Sequence, residues 1–97
     1  MTSITQQGNQ WHIFGDVLMQ NANAILAQSE ILSMGDKVEV DFSGTTNIDT
    51  SALSLIMEWQ RRAMASKCKV SFANIPPNLK SLAELYGVTA FIPLAKT

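Results

Sequence analysis

The sequence predicts an α/β domain: a mixed sheet of about four to five strands, an N-terminal hairpin followed by parallel strands, covered by about three helices. Three observations predict it. Val38, Val40 and Phe42 alternate with Glu39 and Asp41, a period of two that turns one side of a strand toward a core and suits β-branched residues. Soon after, Leu53, Ile56, Met57, Gln60, Ala63 and Met64 fall within roughly a third of a helix circumference, with Ser54, Glu58 and Arg61 opposite. Segments of the two kinds keep alternating, and beyond the first pair the strand-like ones lie more than about a dozen residues apart, long enough for parallel crossovers.

Taken in order, Ile4–Gln7 and Gln10–Phe14 flank Gly8-Asn9, a two-residue signal for a tight hairpin turn. Trp11 and Ile13 share one face of the second strand, and His12 points to the other, toward solvent. No partner His, Cys or carboxylate cluster is evident beside it to make it a metal ligand. Gly15-Asp16 opens a helix from about Val17 to Leu32, with Asp16 as its cap and Leu18, Ala22, Ile25, Leu26 and Ser29 on one face. The strand through Val38, Val40 and Phe42 ends in the polar run Gly44-Thr45-Thr46-Asn47, with Ile48 packed beneath the turn. Lys69–Ala73 forms the next strand, and Pro76-Pro77 opens the last helix, where a missing N–H costs little. Leu79, Leu82, Leu85 and Tyr86 are its apolar stripe and Gly87 its stop; Val88–Leu94 offers a short edge strand that Pro93 limits.

Length and composition bound the function. The 97 residues, 46% of them apolar, suffice for one domain, 1–97, with a single modest core. A net charge of −1 with only 7 basic residues leaves no electrostatic footprint for nucleic acid or an anionic lipid surface. Met1–Gln7 lacks the basic and apolar regions of a signal peptide, and no apolar run approaches the length of a bilayer span. The expectation is a cytoplasmic chain with no direct membrane insertion. The single cysteine, Cys68, has no partner for an internal disulfide and reads as a buried, inert thiol. There is no phosphate-binding loop, dinucleotide-binding glycine triplet or Cys-x-x-Cys, so catalytic residues, metal ligands and cofactors are all expected to be absent.

The most informative stretch is Asp49-Thr50-Ser51, ahead of the central helix. Each side chain carries an oxygen able to accept a bond from the orphan N–H groups that open a helix, so one of them is the cap. A hydroxyl at that end can also meet a partner or take a phosphoryl group, which the helix dipole stabilises. Along the flank of the same helix Leu55, Trp59 and Arg62 form a stripe that starts one turn from Thr50. Trp and Arg are enriched among interface anchors, which makes the stripe a candidate partner surface; alternatively, Trp59 packs under a loop or beside a neighbouring helix.

A strand, then Asp49-Thr50-Ser51-Ala52-Leu53, then an amphipathic helix resembles the STAS domain family of anti-sigma-factor antagonists and transporter domains. Ala52 stands where that family usually has Gly. The resemblance runs over most of the chain, through Leu82-Ala83-Glu84-Leu85-Tyr86-Gly87, and is closer to the transporter type, which carries Thr after the Asp. It implies a regulatory or assembly subunit that binds the ATPase of an ABC transporter for intermembrane phospholipid transport. Such a subunit supports outer-membrane lipid asymmetry and sits at the inner membrane only through its partner and the associated permease. Asp49, Thr50, Ser51, Leu55, Trp59 and Arg62 are then the partner-binding residues. The alternative it implies is an anti-sigma-factor antagonist switched by phosphorylation at Thr50.

Overall fold

The computed structural model describes residues 2–94. Four strands form one sheet in the order β1-β2-β3-β4: β1 Ser3–Gln7, β2 Gln10–Val17, β3 Lys37–Ile48 and β4 Lys69–Ala73. The first pair is antiparallel, joined at Gly8 with φ of 63°, and the other two pairs are parallel. Three helices, α1 Ala22–Glu30, α2 Ser51–Ala65 and α3 Pro77–Leu85, supply the crossovers and the layer above the sheet.

Register explains which side is covered. Trp11 pairs with Val40 and Val40 with Phe72, so Trp11, Ile13, Val38, Val40, Phe42 and Phe72 share one face, and all are buried. Ile25 of α1, Ile56 and Trp59 of α2, and Leu79 and Ala83 of α3 close over that face in the same apolar cluster. The opposite face carries His12, Glu39 and Asp41. His12 is half-buried rather than solvent-facing: its Nδ1–H donates to Asp41 Oδ2 at 3.1 Å, and its ring stacks on Phe14.

β3 does not end before Gly44. It continues to Ile48 because β2 also runs on, pairing Phe14 with Gly44, Gly15 with Thr45 and Val17 with Ile48 across two register shifts. Gly44 answers a close approach: a Cβ there would lie 2.6 Å from Phe14 Cδ1 and 2.7 Å from the Ile13 carbonyl oxygen. With β2 extended, α1 begins only at Ala22, and Asp16 is not its cap. Asn21 occupies the cap position, but its side chain turns back to accept the Leu18 N–H at 2.7 Å.

The inner arc of α2 is Ala52, Leu53, Leu55, Ile56, Trp59 and Ala63, while Met64, expected inside, is 81% exposed. Of the two readings of the Leu55/Trp59/Arg62 stripe, the one that packs Trp59 beside a neighbouring helix holds: Leu55 and Trp59 are interior, not a partner surface, and Arg62 is half-buried. The physical reason is α1, which packs against that flank and widens the buried arc beyond the side facing the sheet. Trp59 is 0% exposed, meets Trp11 edge-on at 5.9 Å, and donates from Nε1 to Ser29 Oγ at 2.9 Å. Ser29, the one buried polar side chain among the described residues, donates in turn to the Leu26 carbonyl, so its burial leaves nothing unpaired. Arg62 donates to the Ser29 and Leu32 carbonyls, both at 2.6 Å, with its guanidinium 5.5 Å from the Trp11 ring centre. That arrangement ties the end of α1 to α2 through a cation held on an aromatic face.

At the C-terminal side α3 starts at Pro77 as expected and buries Leu79 and Ala83, with Leu82 half-buried, but Leu85 and Tyr86 are exposed. Gly87, with φ of 69°, ends the helix. The final strand shrinks to one parallel bridge, Leu94 beside Phe72, after a 3₁₀ turn at Thr89–Phe91. Cys68 is buried, as expected, and burial first and then Asp36 push its thiol pKa up against the opposing effect of Arg62.

Removing Trp59 deletes a fully buried ring and its hydrogen bond, a change that costs about 3–5 kcal/mol in a close-packed core. Equilibrium denaturant titration of Trp59→Ala should show that loss as a large shift in midpoint. A loss below about 1 kcal/mol, the range of a surface change, would return Trp59 to the surface.

Candidate partner-docking site

Asp49 is the first residue beyond β3, and its N–H still donates to the Val17 carbonyl of β2 at 3.2 Å. Its carboxylate faces both ways. Oδ1 accepts the Ser51 N–H at 2.8 Å and the Ser51 hydroxyl at 2.5 Å, while Oδ2 accepts the Met19 N–H at 2.9 Å. These bonds, with that from the Ser51 hydroxyl the largest, hold the Asp49 pKa below its ordinary value against a smaller opposing effect of burial.

Thr50 is left out of this cap. A side-chain cap bond suits an extended backbone at the residue before the helix, and Thr50 already has φ of −63° and ψ of −18° and makes no such bond. Of the three oxygens that compete for the role, Asp49 takes it, Ser51 satisfies its hydroxyl on Asp49, and the Thr50 hydroxyl is not spent on capping the helix.

Thr50 stands between two grooves. One, of about 620 Å³, lies between α2 and the end of α3, where Leu53, Met57, Arg61, Tyr86 and Val88 line it. The other, of about 450 Å³, lies between α2 and the start of α1, where Met19, Ala22, Leu26 and Leu55 line it. Thr50, Ser54 and Glu58 line both grooves. Spaced four apart, they make a polar ridge on one side of α2 with an apolar trough on each flank. Met19 at 76% and Tyr86 at 60% exposure place large apolar surface beside the ridge. Glu58 accepts from Arg61 on the outside of the helix, an exposed pair worth little to stability.

The site thus gathers Asp49, Thr50 and Ser51, but it does not present Trp59 or Arg62, whose side chains are committed to the α1–α2 contact; Leu55, 3% exposed, only floors one groove. Sequence reasoning missed Ser54, Met19, Met57 and Tyr86 as site residues. The spacing of Thr50, Ser54 and Glu58 was a usable signal for the ridge, whereas Tyr86 looked like part of a core stripe. Among the described residues no group of three metal-ligating side chains forms. His12, on the far face of the sheet, is not placed to act as a base for Thr50.

A family model described as "Mlab, STAS domain" matches residues 1–94. Among solved structures, the unphosphorylated form of the anti-sigma factor antagonist SpoIIAA superposes with a TM-score of 0.72 at 15% identity, covering 99% of this chain and 89% of that one. An anti-sigma factor antagonist from Mycobacterium paratuberculosis gives the same TM-score at 14% identity, covering 100% and 86%. At such identities the likeness is one of fold. No curated protein sequence is matched.

The cap assignment separates two neighbours. Asp49→Ala should cost about 1 kcal/mol, as loss of a helix cap does, whereas Thr50→Ala should stay within about 0.5 kcal/mol of wild type, both read by denaturant titration at neutral pH. Because the folded-state pKa of Asp49 is depressed, its contribution is complete above the ordinary carboxyl value of 3.8 and is lost as pH falls through the lower folded value. The gap between wild type and Asp49→Ala should therefore close in acid. A larger loss for Thr50→Ala than for Asp49→Ala would reverse the assignment.

Proposed function

We propose, given that this chain belongs to the STAS domain family, that it is a non-catalytic regulatory and assembly subunit of an ABC transporter for intermembrane phospholipid transport. The observation that carries the reading is Thr50: a hydroxyl not used to cap α2, on a polar ridge between two apolar grooves, in a chain that a Mlab-type family model matches almost end to end. The partner is the transporter's ATPase, which docks on the ridge and reaches a membrane permease on its own other side. A cytoplasmic place, peripheral to the inner membrane, follows from that partnership, and no described helix is long and apolar enough to cross a bilayer itself. Asp49 and Ser51 serve the contact by fixing the start of α2, and Thr50 touches the partner.

The same hydroxyl supports a second reading, since solved antagonists share the fold and a phosphoryl group at Thr50 would lie at the positive end of α2. That reading makes the chain an antagonist of a kinase-like anti-sigma factor, switched at Thr50.

Co-purification from the native cell separates them. Wild type and Thr50→Ser should bring down an ABC ATPase and its permease, while Thr50→Glu, which adds charge and bulk at the contact, should lose them without losing the fold. Intact-mass analysis of protein from growing cells should find Thr50 unmodified. A phosphorylated Thr50, or a Glu variant that releases a kinase-like protein while ATPase binding is untouched, would favour the antagonist.

A further inference from the structure

The pairing of β2 with β3 is interrupted beside the site. Gly15 pairs with Thr45 and Val17 with Ile48, so Asp16 is passed over on one strand and Thr46 and Asn47 on the other. An interrupted ladder bends the strands and leaves local backbone without its ordinary partners. The Asp16 side chain spans the gap: its Oδ1 accepts the Thr46 hydroxyl, the Asn47 N–H at 3.1 Å and the Asn47 Nδ2–H at 3.0 Å. The Asp16 carbonyl also accepts from Thr2 Oγ1 at 2.7 Å and Asn21 Nδ2 at 2.9 Å, which anchors this residue to the chain entering α1. In the opposite direction, Asp49 reaches from the end of β3 back to the Met19 N–H. Two carboxylates thus lace the segments 16–21 and 46–51 together from both sides, and Met19 and Thr50, which line the same groove, sit at the two ends of the lacing.

We infer that Asp16 is a positioning residue for the docking site, bridging the interrupted β2–β3 pairing so that Met19 and Thr50 keep the spacing a partner recognises. The inference rests on the reading of the Thr50 ridge as the docking surface. Asp16 touches no partner itself; it fixes the ends of the two strands from which α1 and α2 set out. Without its carboxylate the bulged ends keep the Val17–Ile48 pair and the Asp49 bonds but lose the bridge across the gap between them, and they open locally while the paired middle of the sheet stays closed.

Hydrogen exchange by NMR on the full chain tests the positioning directly and needs no partner. In Asp16→Ala the amides of Met19, Asn47 and Ser51 should exchange about tenfold faster, with Val40 in the middle of β3 unchanged. Asp16→Asn keeps an acceptor oxygen and should restore wild-type rates. Capture of the ATPase should fall about tenfold in Asp16→Ala and recover in Asp16→Asn. Unchanged exchange at all three amides, an equal rise at Val40, or undiminished capture in Asp16→Ala would each overturn the inference. Failure of wild type to capture an ATPase would sink the transporter reading instead, and the exchange comparison would still decide whether Asp16 holds the two segments.

Discussion

The Asp49 carboxylate joins two parts of the chain 30 residues apart, the N–H of Met19 before α1 and the first turn of α2. Each end has its own consequence for the site. On the α2 side it satisfies a backbone donor that opens the helix and has no partner within it. On the Met19 side it draws the β2–α1 connection against the end of β3, which closes one wall of a groove. If Thr50 had to supply the cap, its backbone would need to be extended and its hydroxyl would be bonded to α2. With Asp49 in that place Thr50 is already helical and keeps its hydroxyl from that task.

Beneath this edge, the interior fixes how far apart the grooves lie. Trp59 against Trp11, its bond to Ser29, and Arg62 across the carbonyls of Ser29 and Leu32 pin the last turn of α1 to α2. A Trp that packs on two elements and spends its N–H on a third side chain leaves α1 little freedom to slide. The ridge of Thr50, Ser54 and Glu58 is therefore borne by a helix whose inner side is fully committed. Residues first suspected of binding a partner instead hold the platform.

The sheet was legible because its central strand alternates cleanly: Val38, Val40 and Phe42 went inside as their period required. The end of β3 was not, since Gly44-Thr45-Thr46-Asn47 has a turn's composition and is kept extended by β2 and by Asp16, partners distant in sequence. Trp59 was left between two readings for a related reason. Helical periodicity gives the angle of a residue on its own helix, but α1 alone determines that this flank is covered. In the site, three adjacent oxygens were equally able to cap α2, and the choice among them lies in the Thr50 dihedral angles, which composition does not encode. Leu85 and Tyr86 continued the apolar spacing of α3, yet both came out exposed.

Docking of a transporter ATPase on the ridge of Thr50, Ser54 and Glu58 can be tested in the native cell with a photo-reactive amino acid at Ser54, which is exposed and lines both grooves. Thr5, on the uncovered face of the sheet, is the control position. If the ATPase covers the ridge, irradiation joins the Ser54 probe, and not the Thr5 probe, to a product whose peptides are those of an ABC ATPase. A product carrying a kinase-like protein, or equal yields of the ATPase from both positions, would contradict that docking.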